Sequence, residues 1–262
     1  MATSSSPQQN QLLAAMPMDA QRRIFPHLQL INLSSNTALY ESGVSRRYVY
    51  FPTDSIMSLE HVLENGASAG ISMVGNEGAV GLAAFMGSEF SPWRVVSQSA
   101  GCAYRVVGNL MREEFERHSE VLQLMLRYAQ SRAAQMSQMA VCNRHHSVEQ
   151  QLCRWLLCSL DRQSVNQLYM TQEQISNILG VRREGVTLAA NKLNKLGAIE
   201  YSRGKISVLD RTKLEHISCE CYEVVKKESN RLLPKVADNK RIYSYAPVNR
   251  FSLGQIHAFA AN

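Results

Sequence analysis

The chain reads as an α+β protein built in three successive parts: an N-terminal antiparallel β jelly roll, a long helix and a C-terminal winged helix-turn-helix. Three observations predict this. Between Gln29 and Val107 short alternating runs are separated by Gly, Pro, Asn and Ser, with no long helix between them. From Leu110 to about Asn143 apolar residues recur at steps of three and four. Thr171 to Leu209, TQEQISNILGVRREGVTLAANKLNKLGAIEYSRGKISVL, then sets a short helix, a glycine turn, a second helix and a basic hairpin in succession.

In chain order, residues 1–19 are expected to be a polar tail, and Gln11 to Leu28 suggests a short amphipathic helix or two. The opening MATSSSPQQNQ lacks the basic and apolar regions of a secretion signal. The roll is placed at 20–110, with strands at Gln29–Leu33, Arg47–Phe51, Ser55–Leu63, Ala67–Val74, Trp93–Ser99 and Cys102–Val107. Asn65-Gly66 is its clearest hairpin signal. The helix of 111–144 aligns Val121, Leu124, Met125, Tyr128, Met136 and Met139, a stripe that suits either a core or a seam between two copies.

The third part, 145–232, holds the most specific pattern. Thr171 is a good N-cap, with Gln172 and Glu173 in the first turn; Ile175, Ile178 and Leu179 make one apolar face, and Gly180 stops the helix. In the second helix Val181, Val186, Ala189, Ala190, Leu193 and Leu196 can pack inward, leaving Arg182, Arg183, Glu184, Thr187 and Asn191 outside. Ser202-Arg203-Gly204 is a tight turn between two alternating strands. A helix fits the DNA major groove, where arginine pairs with guanine and glutamate accepts from cytosine. That chemistry makes Arg183 and Glu184 base-contact candidates and Thr187 a thymine-methyl or phosphate contact. Arg203 and Lys205 suit phosphates, and Thr171, Gln172, Arg182 and Asn191 complete the expected DNA-facing set. Charged residues on a helix are usually only its solvated face, so the weight lies on the whole helix, turn, helix and hairpin order.

Composition is consistent with this. The 262 residues are 45% hydrophobic, enough for two cores, and the net charge of +6 favours a polyanionic partner. No stretch is long and apolar enough to span a bilayer, which points to a cytoplasmic protein without a membrane partner. Six cysteines form no CxxC pair, and reduced, buried thiols are the default. Cys142, His145, His146 and Cys153 could be grouped as a metal or redox site, but they fall near an expected bend. Cys219 and Cys221 on one helix would diverge. No metal, cofactor or catalytic residue is expected.

GVRREGVT, KLNKLGAIEYSRGKISVLD and HSVEQQLCRWLLCSLDR resemble the C-terminal domain of the Crp/Fnr family of bacterial transcription regulators. More weakly, ALYESGVSRRYVYFP and VGNEGAVGL resemble that family's sensor β-roll, which is cyclic-nucleotide-binding-like, and the resemblance spans roughly residues 20 to 230. It implies a homodimer paired through the long helix, acting on double-stranded DNA and with RNA polymerase. It also implies an effector pocket, with candidates Gly75, Glu77, Gly81, Leu82 and Arg94. Aligned on the family's glycines, Leu82 stands where a glutamate would hold a ribose, and an aliphatic side chain cannot accept that bond. Arg94 is shifted and followed by Val95 and Val96 rather than serine. The usual nucleotide site therefore reads as degenerate, leaving open a different small-molecule effector, none, or a cyclic nucleotide after all. An iron-sulfur sensor needs N-terminal thiolates, but no cysteine precedes Cys102; haem on His61 would rest on one strand histidine. The other readings are a non-DNA-binding adaptor or a cupin-like protein, against which His61, Glu60, Glu64 and Glu77 stand dispersed. Arg211 to Leu233 reads as one further helix with Leu214, Ile217, Cys221, Val224 and Val225 inside. Residues 233–262 form an extension expected to pack on the body or a partner.

Overall fold

The computed structural model describes residues 6–44, 47–84, 86, 88, 90–163 and 166–233. It opens with two short helices, α1 (Gln11–Ala15) and α2 (Met18–Ile24). Asn10 is fully buried: its side-chain oxygen accepts from the amides of Leu12 and Leu13, and its NH2 donates to the carbonyls of Pro52 and Gly78 at 2.9 and 2.8 Å. Leu12, Leu13 and Met16 are buried with it. The polar tail expected over 1–19 is corrected accordingly. From Asn10 onward the segment is core, because its apolar residues cover the outside of the roll.

Seven strands follow: β1 (Gln29–Leu33), β2 (Ala38–Tyr40), β3 (Tyr48–Pro52), β4 (Met57–Val62), β5 (Ser68–Val74), β6 (Arg94–Ser97) and β7 (Gly101–Val107). They form two antiparallel sheets, ordered β1-β7-β3 and β2-β6-β4-β5. Six sit where the alternation placed them; β2 is too short, at three residues, to show a period. Gly66, at φ 82°, closes the β4–β5 hairpin, where the Ala67 amide donates to Asn65 Oδ1 at 3.0 Å. Tyr40, Tyr50, Met57, Leu59, Val74, Val80 and Val95 fill the space between the sheets.

The expected single helix is two, α3 (Gly108–Arg117) and α4 (Ser119–His145), divided by His118 in an extended conformation. The seam proposed from the sequence also needs correction. Val121, Leu124, Met125 and Tyr128 are buried within their own chain, against Leu12, Leu13, Val49, Phe51 and Val106; Met139 is buried and Met136 half-buried. The Tyr128 hydroxyl accepts from the Ala79 amide at 2.8 Å and donates to its carbonyl at 2.7 Å, and burial pushes the phenol up to about 12. The more exposed face shares only Met136 with that set. Leu122, Leu126, Ala129, Ala133, Met136 and Ala140 succeed one another at alternating steps of four and three, and Leu126 is 55% exposed. That spacing is the 3.5-residue repeat of a coiled-coil seam.

The C-terminal domain comprises α5 (Val148–Leu160), β8 (Gln167–Tyr169), α6 (Gln172–Leu179), α7 (Arg183–Lys195), β9 (Ile199–Ser202), β10 (Lys205–Val208), α8 (Arg211–Ile217) and α9 (Cys221–Leu232). Trp155, Leu156, Ile175, Leu179, Val186, Leu193, Ile206 and Leu214 share its core. The helix expected over 211–233 breaks at Ser218–Glu220, leaving Val224 45% exposed. Leu196, expected inside, is the C-cap of α7 and is 47% exposed. The roll docks on this domain: Ile56 and Met73 enter its core, and a Cβ on Gly70 would lie 2.8 Å from the Ile178 carbonyl oxygen. Among the described residues no helix is long and apolar enough to cross a membrane. Of the 233–262 extension only Leu233 lies inside the described residues, where it is buried; 234–262 lie outside them.

Candidate nucleic-acid interface

Local sequence chemistry builds this surface. Thr171 and Gln174 form a reciprocal capping box, Oγ1 accepting from the Gln174 amide at 3.2 Å and Oε1 accepting from the Thr171 amide at 2.7 Å. Gly180, left-handed at φ 66°, ends α6 and lets the chain turn into α7 within a few residues. Arg182 is the N-cap of α7 and Arg183 and Glu184 make its first turn; all three are exposed. The helix's partial positive charge adds to that of the two arginines and favours the Glu184 carboxylate at this end. Asn191 is exposed further along the same helix.

Thr187 is less free than expected. Its hydroxyl donates to Gln172 Oε1 at 2.6 Å and lies 3.0 Å from the Arg183 carbonyl, so it fixes the start of α6 against α7. Gln172 is correspondingly half-buried, whereas Thr171 is exposed. The wing follows on the other side. Arg203 and Gly204 both have positive φ, 50° and 78°, as a two-residue type I′ hairpin turn requires. Arg203 is exposed at the tip and Lys205 half-exposed behind it. Strand β8, unmarked in the sequence, pairs with β10 and makes the wing a three-stranded sheet. Burial raises the Tyr201 phenol, and the Arg183 charge opposes that shift. The Tyr201 hydroxyl donates to the Met170 carbonyl at 3.0 Å.

Two outward residues lie outside the expected DNA-facing set. Leu188 is 71% exposed, one helical turn beyond Glu184, and Tyr169 is 67% exposed on β8 opposite Lys205. Helical spacing from Glu184 would have found Leu188; Tyr169 had no signal, because β8 is only three residues long.

The structure does not gather the five effector-pocket candidates into one site. Glu77 is mostly buried and pairs with Arg162, Oε1 to Nε at 2.6 Å, while its Oε2 accepts from the Gly75 amide at 3.0 Å. Gly75 is where Arg162 crosses the roll, since a Cβ there would lie 2.6 Å from that of Arg162. Arg94 pairs with Glu41 at 3.3 Å. Leu82 packs against the buried cluster that includes Met111 and Leu124. Gly81, at φ 89°, closes against the hydroxyl of Tyr40 and the carbonyl of Tyr48. Between the roll, α5 and α9 lies a cleft of about 240 Å³ lined by Glu77, Asp161, Arg162, Tyr222 and Lys226.

Residues 150–217 match the Crp-like helix-turn-helix domain. No curated protein matches the chain in sequence. Solved structures do match it in fold. FixK2 from Bradyrhizobium japonicum aligns with a TM-score of 0.61 at 13% identity, over 73% of this chain and 98% of that one. A CRP-family transcriptional regulator from Thermus thermophilus gives 0.60 at 15%, over 72% and 96%. The c-di-GMP responsive global regulator CLP of Xanthomonas campestris gives 0.56 at 13%, over 73% and 99%. Exposed α7, wing, long helix and roll thus occur together in one arrangement: residues 150–217 match a Crp-like helix-turn-helix domain, carried on the fold of the Crp/Fnr transcription regulators.

Proposed function

We propose that the chain is a homodimeric, sequence-specific DNA-binding transcription regulator. The observation that carries this is the exposed N-terminal end of α7, Arg182-Arg183-Glu184, in a domain that also exposes a basic wing tip at Arg203. Arg183 and Glu184 read base edges in the major groove; Arg203, Lys205 and Thr171 meet phosphates. Thr187 and Gln172 hold the two helices in register rather than reading bases, and Leu188 offers an apolar contact for a thymine methyl.

Two copies pair along Leu122, Leu126, Ala129, Ala133, Met136 and Ala140, the face that the roll leaves bare, and so present two reading helices to successive major grooves. The protein works in the cytoplasm at promoters, with RNA polymerase as its eventual partner, and catalyses no reaction. His61 stacks edge-on near Trp93, with ring centroids 6.5 Å apart, and Glu77 is committed to Arg162, so the roll's titratable groups do not converge. The roll does not bind a cyclic nucleotide in the family's usual way, because Leu82 is packed and Arg94 and Glu77 are paired elsewhere.

Selection of bound sequences from a random duplex library tests the reading. A two-fold symmetric motif is expected, with both half-sites lost in Arg183→Ala; enrichment of no motif at moderate salt overturns it.

A further inference from the structure

The sequence groups Cys142 with His145, His146 and Cys153, but the structure separates them. Cys153 lies in the core of the C-terminal domain and His145 is exposed. What it assembles instead is Cys142, His146, Cys219 and Cys221, whose ligand atoms all lie within 4.8 Å of one another. Cys142 and His146 are one helical turn apart at the end of α4, where the His146 amide donates to the Cys142 carbonyl at 3.0 Å. Cys219 and Cys221 come from the break between α8 and α9. Because Cys219 lies outside either helix, the two thiols are not forced apart as they would be on one continuous helix.

We propose that these four residues bind one zinc-class divalent cation through three thiolates and an imidazole. Zn–S bonds of about 2.3 Å and Zn–N bonds of about 2.0–2.1 Å at tetrahedral angles place ligand atoms about 3.5–3.8 Å apart. Cys142 Sγ lies 3.5 Å from Cys219 Sγ, and Cys221 Sγ lies 3.4 Å from His146 Nδ1. All three thiols are free and buried. Sulfur donors select zinc over calcium or magnesium, and four protein ligands leave no open position, as in a structural rather than catalytic site.

The surroundings are those that metal ligands use. His146 turns Nδ1 toward the thiols and Nε2 toward Glu220 Oε1 at 3.3 Å, the carboxylate–histidine arrangement that fixes a ligand's tautomer. Gln138 Nε2 donates to Cys221 Sγ at 3.1 Å. Arg154, close enough to act on Cys142, is 6% exposed and has Nε and Nη2 without a hydrogen-bond partner. Three thiolates around a divalent ion carry one net negative charge, which this buried guanidinium balances. Loading releases the thiol protons to solvent and changes no oxidation state. The ion straps the end of α4 to the α8–α9 joint, and this assignment does not depend on DNA binding.

The full chain, purified under reductant, is loaded with zinc, desalted and assayed for metal. About one equivalent per protomer is expected. Cobalt in its place should show intense thiolate-to-metal charge transfer and tetrahedral visible bands. Cys219→Ser combined with Cys221→Ser should lose both, while Cys102→Ser, on the roll, keeps both. Should the double variant unfold, the unaltered chain still decides, because chelator must remove the metal and lower the melting temperature reversibly on zinc re-addition. A reduced wild-type chain that retains no zinc, or a cobalt spectrum without sulfur charge transfer, overturns the proposal.

Discussion

The reading domain and the roll handle their charged residues in opposite ways. In the C-terminal domain Arg182, Arg183 and Glu184 stand exposed at the start of α7 and Arg203 at the hairpin tip, and they are left free of internal ion pairs among the described residues. In the roll Glu77 is consumed internally by Arg162, while Arg94 pairs nearer the surface with the exposed Glu41. A ligand-facing charge is one the fold does not use; in the roll the fold uses them. The pairing of Glu77 with Arg162, from the end of α5, makes that carboxylate a joint between domains rather than a pocket wall.

The largest effect separates two faces of α4. Leu124→Ala should cost ~2–5 kcal/mol of protomer stability in urea denaturation, because Leu124 is core. Leu126→Glu should leave that stability within about 0.5 kcal/mol, as surface changes do, yet yield a monomer by light scattering. If Leu124→Glu rather than Leu126→Glu gave a folded monomer, the seam would return to the face read from sequence.

Next, Glu77→Gln should destabilise the chain by roughly 1.5–3 kcal/mol, since it removes the charged hydrogen bond to a largely buried guanidinium. Unchanged stability with altered affinity for a cyclic nucleotide would make Glu77 a ligand residue and erase the contrast between the two regions. In the reading domain, Arg183→Ala and Glu184→Ala should each cost about 1–3 kcal/mol of operator preference in salt-controlled anisotropy titrations, without moving the melting temperature. Smallest is Arg203→Ala, which should weaken all duplexes alike and reduce the slope of log affinity against log salt by about 1. A change in sequence preference there would move base reading to the wing.

Six of the seven roll strands, the capping box at Thr171, the Gly180 turn and the hairpin at Arg203-Gly204 were legible because each is set by residues within a few positions of one another. What was misread has a common cause. The short helices expected over Gln11 to Leu28 are present as α1 and α2, but the tail was drawn through to residue 19 because the burial of residues 10–16 depends on strands met far later in the chain. The break at His118 and that at Ser218–Glu220 interrupt patterns that are apolar on both sides.

The sequence by itself determined that α7 is an outward-facing basic helix between a glycine turn and a wing, since three-residue and four-residue spacing suffices to sort its faces. It could not determine which face of α4 is covered, because Val121, Leu124 and Met125 are as apolar as Leu122 and Leu126. Only the tertiary structure decided that the first set meets the roll, that Glu77 meets Arg162 and that Cys142 and His146 meet Cys219 and Cys221. Burial and ligation are properties of residues brought together across dozens of positions, and a local period records that a side chain is apolar or charged but not what it will face.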